Sequence, residues 1–404
     1  MLRLVAVVVL PFAGGYFLSY LYRSTNAIIA PQLVTEIGLS AGDLGLLTSA
    51  YFFAFAAVQL PLGVLLVRFG PRRGQSALLL FAALGAVVFA GGQNRETLAF
   101  GRALIGLGVA GSLMSSFKAI TIWFPERRWP LINGCFMAMG GLGAVSATVP
   151  LETALHFTDW RGVFHALAAM TVCVAAVIFI CVPEKPGTAQ SSSLRHQFLE
   201  LREIYGDRLF WRFAPITAAA LAVNMSVQSL WAGPWLRDIA GLPRGAVATY
   251  LLILSVAMTI GFVLSGAITD LLERRGVRLT HVLGWGTAVF LCVQAAIVLR
   301  LDPAAMWPWV VFGLSMYFPI LTFTQLTRHF PPALTGRAIT GLNLLIFSTV
   351  FITQYATGAI IDLWPLNADG GYRAIAYSAA FGFFLVIQII AFAWFLIPAT
   401  GAPD

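Results

Sequence analysis

Apolar residues run almost unbroken along most of the chain, in stretches at about 4–33, 44–67, 75–93, 97–122, 130–154, 162–182, 211–236, 246–270, 280–300, 305–327, 337–363 and 373–397. Each stretch is long enough, as a helix, to cross the ~30 Å hydrocarbon layer of a bilayer. In lipid the backbone must satisfy its own polar groups, so a spanning segment is either a helix or part of a closed barrel. Barrel strands would alternate with period two over about ten residues, and these runs do not. The pattern predicts an all-α membrane protein with twelve transmembrane helices. The first run starts close to Met1 and reads as the first helix, because no small-residue cleavage site of a secretion signal follows it.

The longest hydrophilic stretch, Pro183 to Arg208, holds Glu184, Lys185 and the run Ser191-Ser192-Ser193. It divides the chain into two pseudo-symmetric halves of six helices, 1–183 and 209–404, joined by a cytoplasmic linker at 184–208. With 59% of 404 residues hydrophobic and 10% charged, the composition excludes a soluble domain, whose surface needs about a quarter of its residues charged. The net charge of +8 comes from 25 Lys and Arg against 17 Asp and Glu. With both termini placed in the cytoplasm, sixteen of those cations fall in inside loops and six in outside loops, the bias expected of inner-membrane topology. The basic excess is therefore a topology signal rather than a nucleic-acid surface. Cys135, Cys173, Cys181 and Cys292 sit in apolar runs without paired spacing, so neither a disulfide framework nor a metal site is indicated, and no cofactor motif is present. No H-E-x-x-H motif or pair of intramembrane aspartates points to an enzyme, and no Walker motif points to nucleotide-driven work.

Two loops echo each other across the linker. After the second stretch comes Gly63-Val64-Leu65-Leu66-Val67-Arg68-Phe69-Gly70-Pro71-Arg72-Arg73, and after the eighth Gly266-Ala267-Ile268-Thr269-Asp270-Leu271-Leu272-Glu273-Arg274-Arg275-Gly276. Both resemble the G-x-x-x-D-R-x-G-R-R motif of the major facilitator superfamily of secondary transporters. Arg102-Ala103-Leu104-Ile105-Gly106 is similar to that family's R-x-x-x-G motif, Trp160-Arg161-Gly162-Val163-Phe164 to its W-R-x-x-F motif, and Pro183-Glu184-Lys185-Pro186 to its P-E-x-P motif. The resemblance implies alternating access between the two halves, a conformational role for Arg68, Arg72, Arg73, Arg102, Asp270 and Arg274, and proton coupling as the default. Val67 stands where the motif has Asp, and Leu271 where it has Arg, so the expected latch is weakened and the ligand-free protein is expected to rest inward-open. The glycine-rich fifth helix, Gly134 to Gly143, lacks the Gly-Pro pair of the family's exporting antiporters. The first helix, with Tyr20-Leu21-Tyr22-Arg23-Ser24-Thr25-Asn26, resembles the organic-anion branches. Gly106-x-Gly108-x-x-Gly111 also matches a dinucleotide fingerprint, but with no preceding strand it reads as helix packing.

Three cations, Arg23, Arg102 and Lys118, remain inside spanning stretches, where each costs ~2.5–3.5 kcal/mol on insertion scales unless it has a partner, water or a ligand. Arg23 cannot shed its proton, and its planar fork suits a carboxylate; the plainer alternative is an ion pair or a cap on backbone carbonyls. Lys118 is either a second positive contact or a side chain snorkelling to the interface, and Arg102 is either structural, gating or a ligand contact. No acid falls at a predicted mid-membrane position, and that asymmetry points to an anionic, carboxylate-like substrate. Asn224, Gln228 and Trp231 share one face of the seventh helix. With Tyr20, Asn26, Tyr51, Tyr317 and Gln325 they are read as walls of a polar, aromatic cavity, the alternative for each being interhelical hydrogen bonding. His165 and Glu152 are the candidate titrating groups for proton coupling, the alternative being interfacial residues in contact with water. The expectation is a monomeric, proton-coupled uptake system whose partners are its substrate, a proton and lipid; anion exchange without protons is the alternative for coupling, and an exporter or multidrug antiporter of the same fold is the rival.

Overall fold

The computed structural model describes residues 4–183, 201–367 and 371–397. The part of the expected linker at 184–200 lies outside the described residues, and 201–206 is helical. Among the described residues there are only helices, turns and loops, and eleven helices are long and apolar enough to cross a membrane, with a shorter one at Ile132–Ser146. In chain order these are α1 (Val5–Ser24), α2 (Ala41–Gln59), α3 (Arg68–Ala90), α4 (Arg95–Trp123), α5 (Trp129–Ser146), α6 (Trp160–Cys181), α7 (Arg208–Asp238), α8 (Arg244–Arg274), α9 (Leu279–Val298), α10 (Trp307–His329), α11 (Leu334–Ile361) and α12 (Ala374–Leu396). The twelve apolar stretches of the sequence thus correspond to twelve helices.

Contacts divide the chain into two units. One holds the described residues of Met1–Leu39 and Leu47–His196, the other those of Ser40–Leu46 and Gln197–Asp404. α2 and α3 run as one helical stretch, Ala41–Ala90, which belongs to the first unit from Leu47 onward and is broken only at Gly70 (φ 75°, ψ 166°), a conformation costly for any residue with a Cβ. Pro71 follows, and its fixed φ restarts the helix.

Close helix approach in this unit is made by glycine. A Cβ on Gly106 would fall 2.1 Å from the Tyr51 carbonyl oxygen of α2, one on Gly108 2.3 Å from the Ala82 nitrogen of α3, and one on Gly143 2.3 Å from the Phe17 carbonyl oxygen of α1. The glycines of the dinucleotide-like spacing are therefore packing residues. Glu36, near the end of the helical segment Asn26–Ile37 that follows α1, accepts from Trp160 Nε1 at 2.6 Å and Arg161 Nη1 at 2.5 Å, which anchors the start of α6.

The second unit repeats that device: Asp238, at the end of α7, accepts from the Tyr377 hydroxyl at 2.8 Å and the Tyr372 N–H at 3.2 Å, fixing the start of α12. Gln294 of α9 and Gln388 of α12 exchange amide hydrogen bonds at 3.1 and 2.8 Å in the interior. Each amide satisfies the other where no water can.

Among the described residues the helices at positions one, four, seven and ten are irregular, and the fifth is interrupted at Ala147–Thr148 before the short helix Val149–Ala154. The helix begun by α1 breaks at Thr25 and continues as Asn26–Ile37, α4 breaks at Ala110–Gly111, α7 has a π turn at Val227–Trp231, and α10 passes through a 3-10 turn at Phe318–Ile320. These are the leading members of four successive three-helix groups. Breaks of this kind free backbone groups and are tolerated at depth where protein or a cavity meets them.

Candidate functional site

In the first unit the break at Thr25 organises the cations. Arg102 of α4 is 1% exposed and donates from Nη1 to the Tyr22 carbonyl oxygen at 2.8 Å, just before the break. Its guanidinium lies 4.8 Å from the Phe89 ring centroid and 5.2 Å from that of Phe164. The Tyr22 hydroxyl shares a 2.9 Å hydrogen bond with Thr171 of α6. Arg102 thus ties α1 to α4 between two aromatic faces, while its Nε and Nη2 are buried without hydrogen-bond partners.

Arg23 is placed differently. It is 6% exposed, its guanidinium carbon lies 4.6 Å from the Tyr20 ring centroid, 5.8 Å from that of Phe55 and 5.9 Å from that of Phe52, and its Nε has no hydrogen-bond partner. The hydroxyls of Tyr51, Tyr20 and Tyr16 are the groups that act on it electrostatically, and among the described residues no carboxylate pairs with it. Tyr51 is fixed by donating to the Ser19 carbonyl at 3.2 Å, and Tyr16 and Tyr20 meet edge to face with their hydroxyls 3.4 Å apart. Asn26 is buried and donates to Thr48 Oγ1 at 2.8 Å, which joins the segment after the break to α2. Tyr20, Arg23 and Tyr51 are therefore one cluster. Asn26 engages Thr48 through Nδ2 while its Oδ1 is buried without a partner, and Phe55 is an added wall that only the aromatic run Tyr51-Phe52-Phe53-Ala54-Phe55 hinted at.

Lys118 is half-buried on α4, with no ion pair among the described residues, and does not belong to the Arg23 cluster. Glu152 is 8% exposed on the short helix Val149–Ala154, whereas His165 is exposed on the surface of α6. Of the expected latch residues, Arg72 donates from Nε to the Phe179 carbonyl at 2.7 Å, near the end of α6, and Arg68 lies 5.3 Å from the Phe69 ring. Arg73 is exposed, and the Val67 side chain is not among those described.

In the second unit Asn224, Gln228 and Trp231 are all buried around the π turn of α7, with Asn224 Oδ1, Gln228 Nε2 and Trp231 Nε1 lacking partners. Ser226 on the same helix and Gln354 on α11 are buried with unpartnered side-chain atoms as well. A buried polar group without a partner costs about 1–3 kcal/mol, so this stretch of α7 holds unsatisfied hydrogen-bonding capacity. Tyr317 and Gln325 are half-buried on α10, and Tyr317 meets Phe262 edge to face at 5.2 Å. Asp270 pairs with Arg274 at 3.0 Å on an exposed surface. The ion pair that joins two helices there is instead Glu273 of α8 with Arg328 of α10, two hydrogen bonds at 2.7 and 3.2 Å. Among the described residues no group of three His, Cys, Asp or Glu side chains could hold a metal ion.

Known proteins give this arrangement a context. The chain is 23% identical over 409 residues to the probable sulfoacetate transporter SauU of Cupriavidus necator, covering 96% of this chain and 86% of that one. It is 25% identical over 291 residues to the probable L-galactonate transporter of Escherichia coli K12, covering 67% and 62%. Among solved structures, the inward-facing, unoccupied form of a bacterial homologue of the human lysosomal transporter Spinster superposes with a TM-score of 0.78 at 19% identity over 96% of both chains. The family model of the Major Facilitator Superfamily matches residues 12–353. The twelve-helix fold, the relatives and that match together make this chain a multi-pass membrane protein of the Major Facilitator Superfamily, a secondary transporter and not an enzyme.

Proposed function

We propose that the protein carries a small organic anion across the inner membrane, with Arg23 holding the anionic group and the cargo exchanged by alternating access of two halves, 1–183 and 209–404, around the linker 184–208. The observation that carries this reading is a buried, permanently charged guanidinium walled by aromatic rings, with a free Nε and no acid beside it. Such a cation is stabilised when an anion arrives, and its fork can meet two oxygens at once. Tyr20 and Tyr51 offer hydroxyls at the same place; within the second unit, Asn224, Gln228, Trp231, Tyr317 and Gln325 are the uncharged polar and aromatic residues we assign to cargo contact. Lys118 serves as a second cation on the route. Sulfoacetate and galactonate, the cargoes named for two relatives, are small organic anions of this class.

Uptake coupled to protons is the direction we assign, with Glu152 better placed than His165 to carry the proton because it is buried and the histidine is not. Purified protein in liposomes, given labelled sulfoacetate, galactonate and simple carboxylates with and without an imposed pH gradient, tests cargo, direction and coupling together. Accumulation of at least one anion, enhanced by an inward proton gradient, is expected. Accumulation of organic cations instead would favour the antiporter reading.

A further inference from the structure

Tyr16, Tyr20 and Arg23 follow one another at i, i+4 and i+7 on one face of α1. Two residues of α5, one turn apart, pack against the two tyrosines. A Cβ on Gly140 would fall 2.6 Å from Tyr16 Cε1 and 3.1 Å from Tyr20 Cδ2, so a glycine there lets both rings lie against the α5 backbone. Met137, one turn earlier on α5, brings its sulfur to 3.7 Å from the Tyr16 hydroxyl.

The three hydroxyls around Arg23 are committed to different degrees. Tyr51 gives its proton to the Ser19 carbonyl. Tyr20 is half-buried and accepts from Tyr16, and its own proton has no acceptor among the described residues. Tyr16 is 5% exposed and has one proton with two acceptors in reach, Tyr20 Oη at 3.4 Å and Met137 Sδ at 3.7 Å. Both contacts are long, and a thioether sulfur is a weak acceptor. When Tyr20 donates to an anion its oxygen becomes a better acceptor, because hydrogen bonds in a chain polarise one another. The Tyr16 proton then turns to Tyr20 and away from sulfur.

We propose that Tyr16 is a positioning residue of the anion site: through the chain from Tyr16 to Tyr20 to a cargo oxygen, it strengthens Tyr20 as a donor and makes the site select a carboxylate over a sulfonate. The inference rests on the reading of Arg23 as the anion's partner. The guanidinium fork meets either group by charge and shape. A phenol donor separates them, because a carboxylate holds its charge on two basic oxygens and a sulfonate spreads it over three weakly basic ones. In a cargo that carries both groups, the carboxylate is the end that meets Arg23. Met137 competes for the Tyr16 proton, so it opposes the chain that Tyr16 supports.

Malonate, sulfoacetate and methanedisulfonate share a single methylene and carry two, one and no carboxylates. Together with galactonate they are titrated against purified protein in detergent at constant ionic strength, and the rise of the thermal midpoint with concentration gives an apparent Kd for each. The parent is expected to bind the carboxylates more tightly than methanedisulfonate. Tyr16→Phe keeps the ring and loses only the hydroxyl; it should weaken every carboxylate that binds the parent by roughly fivefold, the size of one hydrogen bond, and leave methanedisulfonate unchanged. Met137→Leu removes the competing acceptor and should tighten the same carboxylates. A purely structural role for Tyr16 would weaken all ligands alike and lower the ligand-free midpoint. Carboxylate binding by Tyr16→Phe that equals the parent's, or a loss shared equally with methanedisulfonate, would overturn the chain alone. No stabilisation of the parent by any of the four anions would overturn the anion reading, and the chain with it.

Discussion

At the scale of single residues, two buried arginines three helical segments apart have different surroundings, and the proposed roles follow from them. Both leave Nε without a partner, but Arg102 is tied to a backbone carbonyl between two phenylalanine faces, whereas Arg23 sits among aromatic walls that carry the hydroxyls of Tyr16, Tyr20 and Tyr51. Replacing Arg102 by Met should leave the Tyr22 carbonyl unsatisfied at the α1 break and cost about 1–3 kcal/mol, read as a lower thermal midpoint in detergent with residual transport intact per folded molecule. Replacing Arg23 by Lys should do the reverse. A single ammonium cannot reproduce the fork, so the midpoint stays near the parent's while initial uptake falls about tenfold or more, a loss of about 1.4 kcal/mol or more in anion recognition. The charges themselves were plain in the sequence, because an arginine in an apolar run is conspicuous. What separates their roles is which rings and carbonyls the fold brings up, and those come from residues as distant as Phe164 and Tyr51, which no local pattern connects to them.

At the scale of helices, the apolar runs located every span, since lipid imposes length and continuity on each one. The interruptions were less visible. Thr25, Ala110 and the π turn at Val227–Trp231 lie inside runs long enough to read as single spans, and the polar residues beside the first and third do not by themselves mark an irregular turn, because that depends on what another helix brings up to it. Glycine spacing was better information. Gly106 and Gly134 are both helical glycines, but a methyl group on Gly106 would strike the Tyr51 backbone at 2.1 Å, while nothing lies within 4 Å of one on Gly134. Gly106→Ala is therefore expected to cost about 1–3 kcal/mol through overpacking and to lower the yield of folded protein, with Gly134→Ala indistinguishable from the parent. Equal thermal midpoints for the two variants would contradict the packing described for α2 and α4.

For the whole molecule, family and architecture follow from periodic features that survive at low identity: twelve runs, a hydrophilic divide and two echoed loops. The loops also bear on the resting state. Val67 in place of the motif's Asp removes a charge partner of the following arginines, so Val67→Asp is expected to raise the outward-open fraction of ligand-free protein, by up to ~1–3 kcal/mol of bias. Distance distributions between spin labels at the Arg72 ends of α2 and α3 and the Arg337 end of α11 would report it, and an unchanged distribution would place the latch elsewhere. The cargo was legible only as a class, from cations without matching acids, because the sequence marks the charge to be met and leaves unmarked the shape of the space around it. The account stands on Arg23 meeting an anion. Its most direct test is uptake of labelled sulfoacetate and galactonate into liposomes containing equal amounts of folded parent or Arg23→Ala protein. Saturable uptake of at least one anion by the parent and none above empty liposomes by the variant is the predicted result; the same saturable uptake by both would contradict it.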